Sequence, residues 1–242
     1  VVSQVGDDVR RFKVGDRVFG ESKDTRAFGS FICVPEDECA LMPNKYSFEE
    51  MACVPLAGLT AFQALIKHAR LQKGESVFVN GASGGVGHFV VQIAKTLGAT
   101  VTAVCSSRKA NFVKECGADK VIAYDKERMA EHSGAYDIVI DVHGNFKHSD
   151  FRRLGRRGVV IGFTSMWHMF KLMMKKSVHP FPLVQFSAKP NPDDLASLAK
   201  MIEEGSLQPR IDRIYDHHQL AEAIAHVEGM QTLGKVALRW NI

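Results

Sequence analysis

The stretch VFVNGASGGVGHFVVQIAK, residues 77–95, sets small residues at a spacing that suits phosphate binding by backbone. Gly84 lets the chain approach a pyrophosphate closely, and Gly87 lets a following helix pack tightly on the preceding strand. The helix start offers unpaired N–H groups and the positive end of a dipole to phosphate oxygens. Ser83, Gly85 and Val86 complete the loop. The first glycine of the pattern G-x-G-x-x-G is replaced by Ala82, which weakens the textual match but leaves the anion site. Because the loop lies inside a run of strand–helix units, the spacing predicts a dinucleotide site.

The end of the next apolar run decides which dinucleotide is held. An acid about 20 residues beyond the loop would bind the ribose 2′-hydroxyl of NAD. TVTAVC instead runs into Cys105-Ser106-Ser107-Arg108-Lys109, with no acid before Glu115. Hydroxyl and cationic groups at Ser106, Arg108 and Lys109 complement a 2′-phosphate, so the reading is NADP(H). The alternative is that Ser106 caps the next helix and the two cations are solvated.

The elements that must position these groups are legible in the periodicity. Val86, Phe89, Val90, Ile93, Ala94 and Leu97 recur at helical spacing. SVFVNG, TVTAVC, KVIAY, DIVIDV and GVVIGF read as strands, with RKANFVKECG and KERMAEH read as helices. Near-continuously apolar strands alternating with helices predict a parallel sheet covered on both faces. Before it, FKVGDRVFG and GSFICVPEDECALMP predict β-structure with tight turns, and Ser47 with Glu50 forms a capping box. After it come a looser region from 164 to 192, the helix DLASLAKMIEEG, and a tail ending in a strand.

Composition excludes several classes. Across 242 residues the net charge is +4, with acids and bases interleaved, so no basic stripe for nucleic acid is present. The densest basic cluster, FRRLGRRG, reads as a solvated helix end. No apolar run reaches the roughly 18 residues of a membrane span. The five scattered cysteines form no metal or disulfide framework, and no leader is visible, so a cytoplasmic setting is expected.

VGDDVRRFKVGDRVFG, PLAGLTAFQAL, GASGGVGHFVVQIAK, LGATVTAVCSSRKANFVKECGADKVIAYDK and the closing GKVAL together resemble the medium-chain dehydrogenase/reductase superfamily. The similarity is strongest to its zinc-independent, quinone oxidoreductase-like branch. That resemblance implies an α/β fold: a doubly wound Rossmann sheet plus a partial GroES-like β-domain. The expected divisions are 1–55 for the β-domain, 56–200 for the Rossmann domain and 201–242 for a segment returning to the β-domain. The cofactor would lie between the domains. By position, Thr60 would approach the nicotinamide and Gly84 to Gly87 the pyrophosphate. Ser106, Arg108, Lys109 and Tyr124 would surround the 2′-phosphate, while His143, Gly162 and Phe163 would border the nicotinamide ribose. Tyr124 and His143 have equally ordinary structural roles.

Departures from the superfamily pattern are informative. FGESKDTRAFGSF lacks the cysteines of a structural zinc lobe, and Leu56 stands where the zinc enzymes carry their last catalytic ligand. About the first quarter of such proteins has no counterpart, so an N-terminally truncated chain is expected. Met230 and Gln231 stand near a place where some members carry a phosphate-binding Arg. The implied activity is NADPH-dependent hydride transfer to quinones or α,β-unsaturated carbonyls. The alternatives are a zinc-independent alcohol dehydrogenase-like carbonyl reductase and a non-catalytic nucleotide-binding fragment. Trp167, Met169 and Phe170 could wall a substrate site, or be core or dimer contact, which the Met-rich spacing favours. PFPLVQFSA reads as an edge strand that would pair across a homodimer axis.

Overall fold

The computed structural model describes residues 1–23, 27–128, 132–134, 136–162, 165, 167, 170–172, 174 and 181–240. The chain divides into two compact units, Val1–Leu59 with Ala188–Ile242, and Thr60–Ser187.

In the first unit, β1 (Val18–Gly20) and β2 (Cys39–Leu41) form an antiparallel pair, with Val18 opposite Leu41. The capping box at α1 (Phe48–Ala52) forms as expected: the Glu50 N–H donates to Ser47 Oγ, and the Ser47 N–H donates to Glu50 Oε2 at 2.8 Å.

In the second unit, α2 (Pro55–Gln63), whose first turn belongs to the first unit, continues into a wider turn over Ala64–His68. Then follow β3 (Ser76–Asn80), α3 (Gly87–Thr96), β4 (Thr100–Cys105), α4 (Ala110–Glu115) and β5 (Lys120–Ala123). β6 (Tyr136–Asp141), α5 (His148–Leu154), β7 (Gly155–Val160) and β8 (Leu183–Gln185) complete it. The six strands lie in the order β5-β4-β3-β6-β7-β8, and every neighbouring pair is parallel.

The apolar strand runs are explained by burial on both faces. Val77, Phe78 and Val79 of β3, and Ile138, Val139 and Ile140 of β6, are fully buried. Phe89, Val90, Ile93 and Ala94 of α3 are buried as well, so the periodic face of that helix is core. On α5, Phe151 and Leu154 join Phe78, Ile122, Val139 and Val160 in one apolar cluster.

The remainder of the first unit is α6 (Pro192–Glu203), β9 (Ile211–Asp216), α7 (Leu220–Glu228) and β10 (Lys235–Arg239). β9 and β10 pair in parallel. Tyr46 donates from its hydroxyl to the Ile202 carbonyl, and Lys45 to the Glu203 carbonyl, both at 2.8 Å, tying α6 to the N-terminal part of its own unit.

Three expectations change. Lys126 and Glu127 do not begin a helix: their N–H groups both bond the Ala123 carbonyl at 2.9 Å, which closes a turn off β5. The basic cluster is not one solvated helix end. Arg152 and Arg153 occupy the last turn of α5, but Arg157 lies in β7 and donates to Glu75 at 2.6 Å and to the Ala69 carbonyl at 2.7 Å. Trp167 and Phe170 are exposed at 63% and 54% and stack with centroids 5.7 Å apart, so neither is core. Met169 lies outside the described residues.

Candidate functional site

The strand order reverses between β3 and β6, and in open parallel sheets ligands bind beyond the carboxyl ends of strands at such a point. The residues leaving these two strands are therefore the first place to look. Asn80 and Asp141, the last residues of β3 and β6, are register partners. Gly81 follows in a left-handed conformation (φ +83°), and a Cβ there would lie 3.4 Å from the His143 nitrogen.

The loop from Ala82 to Val86 then turns into α3, with the Ala82 N–H bonded to the Val104 carbonyl at 3.0 Å. The two glycines of the sequence pattern have different physical reasons. A Cβ on Gly87 would strike the Gly81 carbonyl and lie 2.8 Å from Ala82 Cα, so no side chain fits between helix and loop. A Cβ on Gly84 would meet nothing nearer than the Gly81 carbonyl at 3.7 Å; it would instead occupy open space over the loop. Among the described residues, the N–H groups of Ser83, Gly85, Val86 and Gly87 donate to no backbone carbonyl. Those donors at the start of a ten-residue helix make an anion cradle.

At the end of β4, Ser106 is buried and its hydroxyl has no hydrogen-bond partner among the described residues. Arg108 and Lys109 follow in the short turn Ser107–Lys109. Tyr124 lies alongside, its N–H donating to the Cys105 carbonyl at 3.1 Å, and its ring is exposed. Sequence reasoning missed a fifth group here. Asp125 accepts the Ser107 N–H at 2.7 Å and its hydroxyl at 2.6 Å, so a carboxylate does stand at the end of the second strand of the pattern. It comes from the neighbouring strand's exit rather than from β4 itself, which spacing along one strand could not reveal.

Asp141 is the other group that was not anticipated. It is fully buried and accepts from Asn80 Nδ2 at 2.8 Å, from the Gly144 N–H at 2.9 Å and from the Phe146 N–H at 2.8 Å. Burial pushes its carboxyl above the usual range against these three bonds. Asn80 also donates to Asn145 Oδ1 at 2.8 Å. This hub fixes the loop 142–146 that carries His143, which is exposed. Gly162 closes against it, since a Cβ there would lie 2.6 Å from the Val142 carbonyl. The clue in the sequence was a polar residue ending each of two apolar runs, SVFVN and YDIVID.

The expected residues thus assemble in two groups within one unit: Ser83 to Gly87 with His143 and Gly162, and Ser106 to Lys109 with Tyr124. Thr60 is buried in α2, and Phe163 lies outside the described residues.

Among the described residues, no group of three His, Cys, Asp or Glu side chains converges. Burial pushes the Cys53 and Cys105 thiols up to about 11 and raises Cys39, so these three are protonated thiols at neutral pH. Leu56, at the expected ligand position, is 55% exposed.

A family model described as zinc-binding dehydrogenase matches residues 116–238. The chain is 34% identical to a chloroplast envelope quinone oxidoreductase homolog of Arabidopsis thaliana, over 92% of this chain and 71% of that one. It is 31% identical to the chloroplastic NADPH-dependent alkenal/one oxidoreductase of the same plant, spanning 98% of this chain and 61% of that relative. Among solved structures, the quinone oxidoreductase of Escherichia coli complexed with NADPH superposes with a TM-score of 0.80 at 26% identity, covering 98% of this chain and 79% of that one. Taken with the six-stranded parallel sheet and its glycine loop, these matches show that the chain belongs to the medium-chain dehydrogenase/reductase superfamily, in its quinone oxidoreductase-like branch.

Proposed function

We propose that the chain is an NADPH-dependent oxidoreductase that transfers hydride to quinones or α,β-unsaturated carbonyls without zinc. The observation that carries this reading is the loop at the switch point, closed to a side chain at Gly87 and open at Gly84. The buried Ser106 hydroxyl, without a hydrogen-bond partner among the described residues, adds a polar group that suits the adenosine end of a dinucleotide. The names of the relatives support both the cofactor and the acceptors.

The residues would divide the work as follows. The N–H groups of Ser83, Gly85, Val86 and Gly87 hold the pyrophosphate. Ser106, Arg108, Lys109 and Tyr124 surround the 2′-phosphate, and Thr60, His143 and Gly162 lie toward the nicotinamide. When bound, the dihydronicotinamide supplies the hydride. Asp141 and Asn80 hold the loop bearing His143 in one conformation, so the nicotinamide end of the site is set before a ligand arrives. Quinones and enones suit a site without a metal, because they delocalise the developing charge onto oxygen themselves.

We read 1–55 as the partial GroES-like domain, joined by the returning segment 201–242, and 56–200 as the Rossmann domain, whereas the two compact units divide after Leu59 and after Ser187. A homodimer is supported by β8, which lies at the edge of the sheet with β7 on one side. A cytoplasmic setting is supported by five cysteines that are all free thiols. No described helix is long and apolar enough to cross a membrane.

NADPH oxidation with quinones, enones and saturated ketones tests the reading. Preference for the first two supports it, and preference for saturated ketones favours the alcohol dehydrogenase-like alternative. The chain spans 71% and 61% of the two plant relatives. A nucleotide-binding, non-catalytic fragment is the second reading. Tight binding with no turnover would favour it.

A further inference from the structure

We infer that Asp125 is a specificity-determining residue which opposes a 2′-phosphate, so that the chain discriminates only weakly between NADPH and NADH. The inference rests on the nucleotide reading above and adds to it a group that works against the cations.

Parallel pairing brings Cys105 and Ala123 into register, so the residues that leave β4 and β5 emerge side by side. Ser106 and Ser107 leave one strand, Tyr124 and Asp125 the other. The two bonds from Ser107 fix the Asp125 carboxylate at the end of β4, at 2.6 and 2.7 Å. That strand end is where a dinucleotide fold places the acid that receives the ribose 2′-hydroxyl. Here the acid is delivered by the adjacent strand. The Ser107 hydroxyl and N–H bonds hold its carboxyl below the usual range, so it is ionised at neutral pH.

An ionised carboxylate has about four acceptor directions, and Ser107 uses two. The Asp125 N–H also points to its own carboxylate, and because Asp125 is exposed a direction is left open to a ligand hydroxyl. The cations of this corner are Arg108, Lys109 and Lys126. A 2′-phosphate placed here meets attraction from them and repulsion from Asp125. A 2′-hydroxyl meets an acceptor and no repulsion. The net preference for the phosphorylated nucleotide is therefore smaller than Ser106, Arg108 and Lys109 alone would give.

Calorimetric binding of adenosine 2′,5′-bisphosphate and adenosine 5′-monophosphate to the full chain reads this preference without any turnover. Asp125→Asn keeps an oxygen for Ser107 and removes the charge. It should raise the preference for the bisphosphate about three- to tenfold at low ionic strength, and less at high salt. Asp125→Glu retains the charge and should leave the preference within about twofold of the parent. An unchanged or lowered preference in Asp125→Asn would overturn the inference, as would equal weakening of both nucleotides. Failure of the unmodified chain to bind either nucleotide would contradict the nucleotide reading itself, and this inference with it.

Discussion

Asn80 and Asp141 end the two central strands in register, and the Asn80 amide donates to the buried Asp141 carboxylate at 2.8 Å. The bond joins the phosphate-loop strand to the strand that carries His143. Asp141→Ala would leave Asn80 Nδ2 and the Gly144 and Phe146 N–H groups without their acceptor. Each such loss costs about 1–3 kcal/mol and release of the buried carboxyl offsets part of the sum, so the variant should lose on the order of 3–5 kcal/mol by chemical denaturation. A loss below about 1 kcal/mol would mean that the loop is held by other means.

The two loop glycines should separate stability from binding. Gly87→Ala forces a methyl group against the Gly81 carbonyl and should cost both stability and nucleotide affinity. Gly84→Val meets no atom of the resting loop within 3.7 Å at its Cβ, so the thermal midpoint should stay near that of the parent while NADPH affinity falls at least tenfold. Thermal denaturation beside nucleotide titration distinguishes the two. Retained affinity in Gly84→Val would place the pyrophosphate elsewhere.

Charge at the adenosine end gives a third prediction. If Lys109 faces the 2′-phosphate as proposed, Lys109→Glu should weaken NADPH far more than NADH, because only NADPH carries that phosphate. Equal weakening of the two nucleotides would remove Lys109 from the 2′-phosphate site.

Acid sensitivity follows from two paired carboxylates. The Ser76 N–H and hydroxyl bonds hold Asp137 below the usual range, and the Arg157 hydrogen bond does the same for Glu75. A depressed folded-state value means stabilisation that is complete above the unfolded value, about 4, and lost as pH falls through the folded one. Asp137→Asn should therefore destabilise the protein more near neutral pH than near pH 3, as read from denaturant midpoints at the two values. An equal effect at both would show that charge plays no part there.

Much of this architecture was legible in the sequence because buried parallel strands and a one-faced helix leave strong periodic patterns. Val77 to Val79 and Phe89 to Ala94 are examples, and the capping box at Ser47 is purely local. The groups that were not legible are those placed by pairing between strands. Asp125 reaches Ser107 across 18 residues, and Asp141 reaches Asn80 across 61. Arg157 reads as solvated in the sequence because its partners, Glu75 and the Ala69 carbonyl, lie 82 and 88 positions away.

The most direct test of the central claim is NADPH oxidation by the chelator-treated chain with a quinone or enone, before and after zinc is added back. Turnover at the same rate in both conditions is expected, with no stoichiometric zinc in the untreated protein. Turnover that appears only once zinc is restored would contradict the claim.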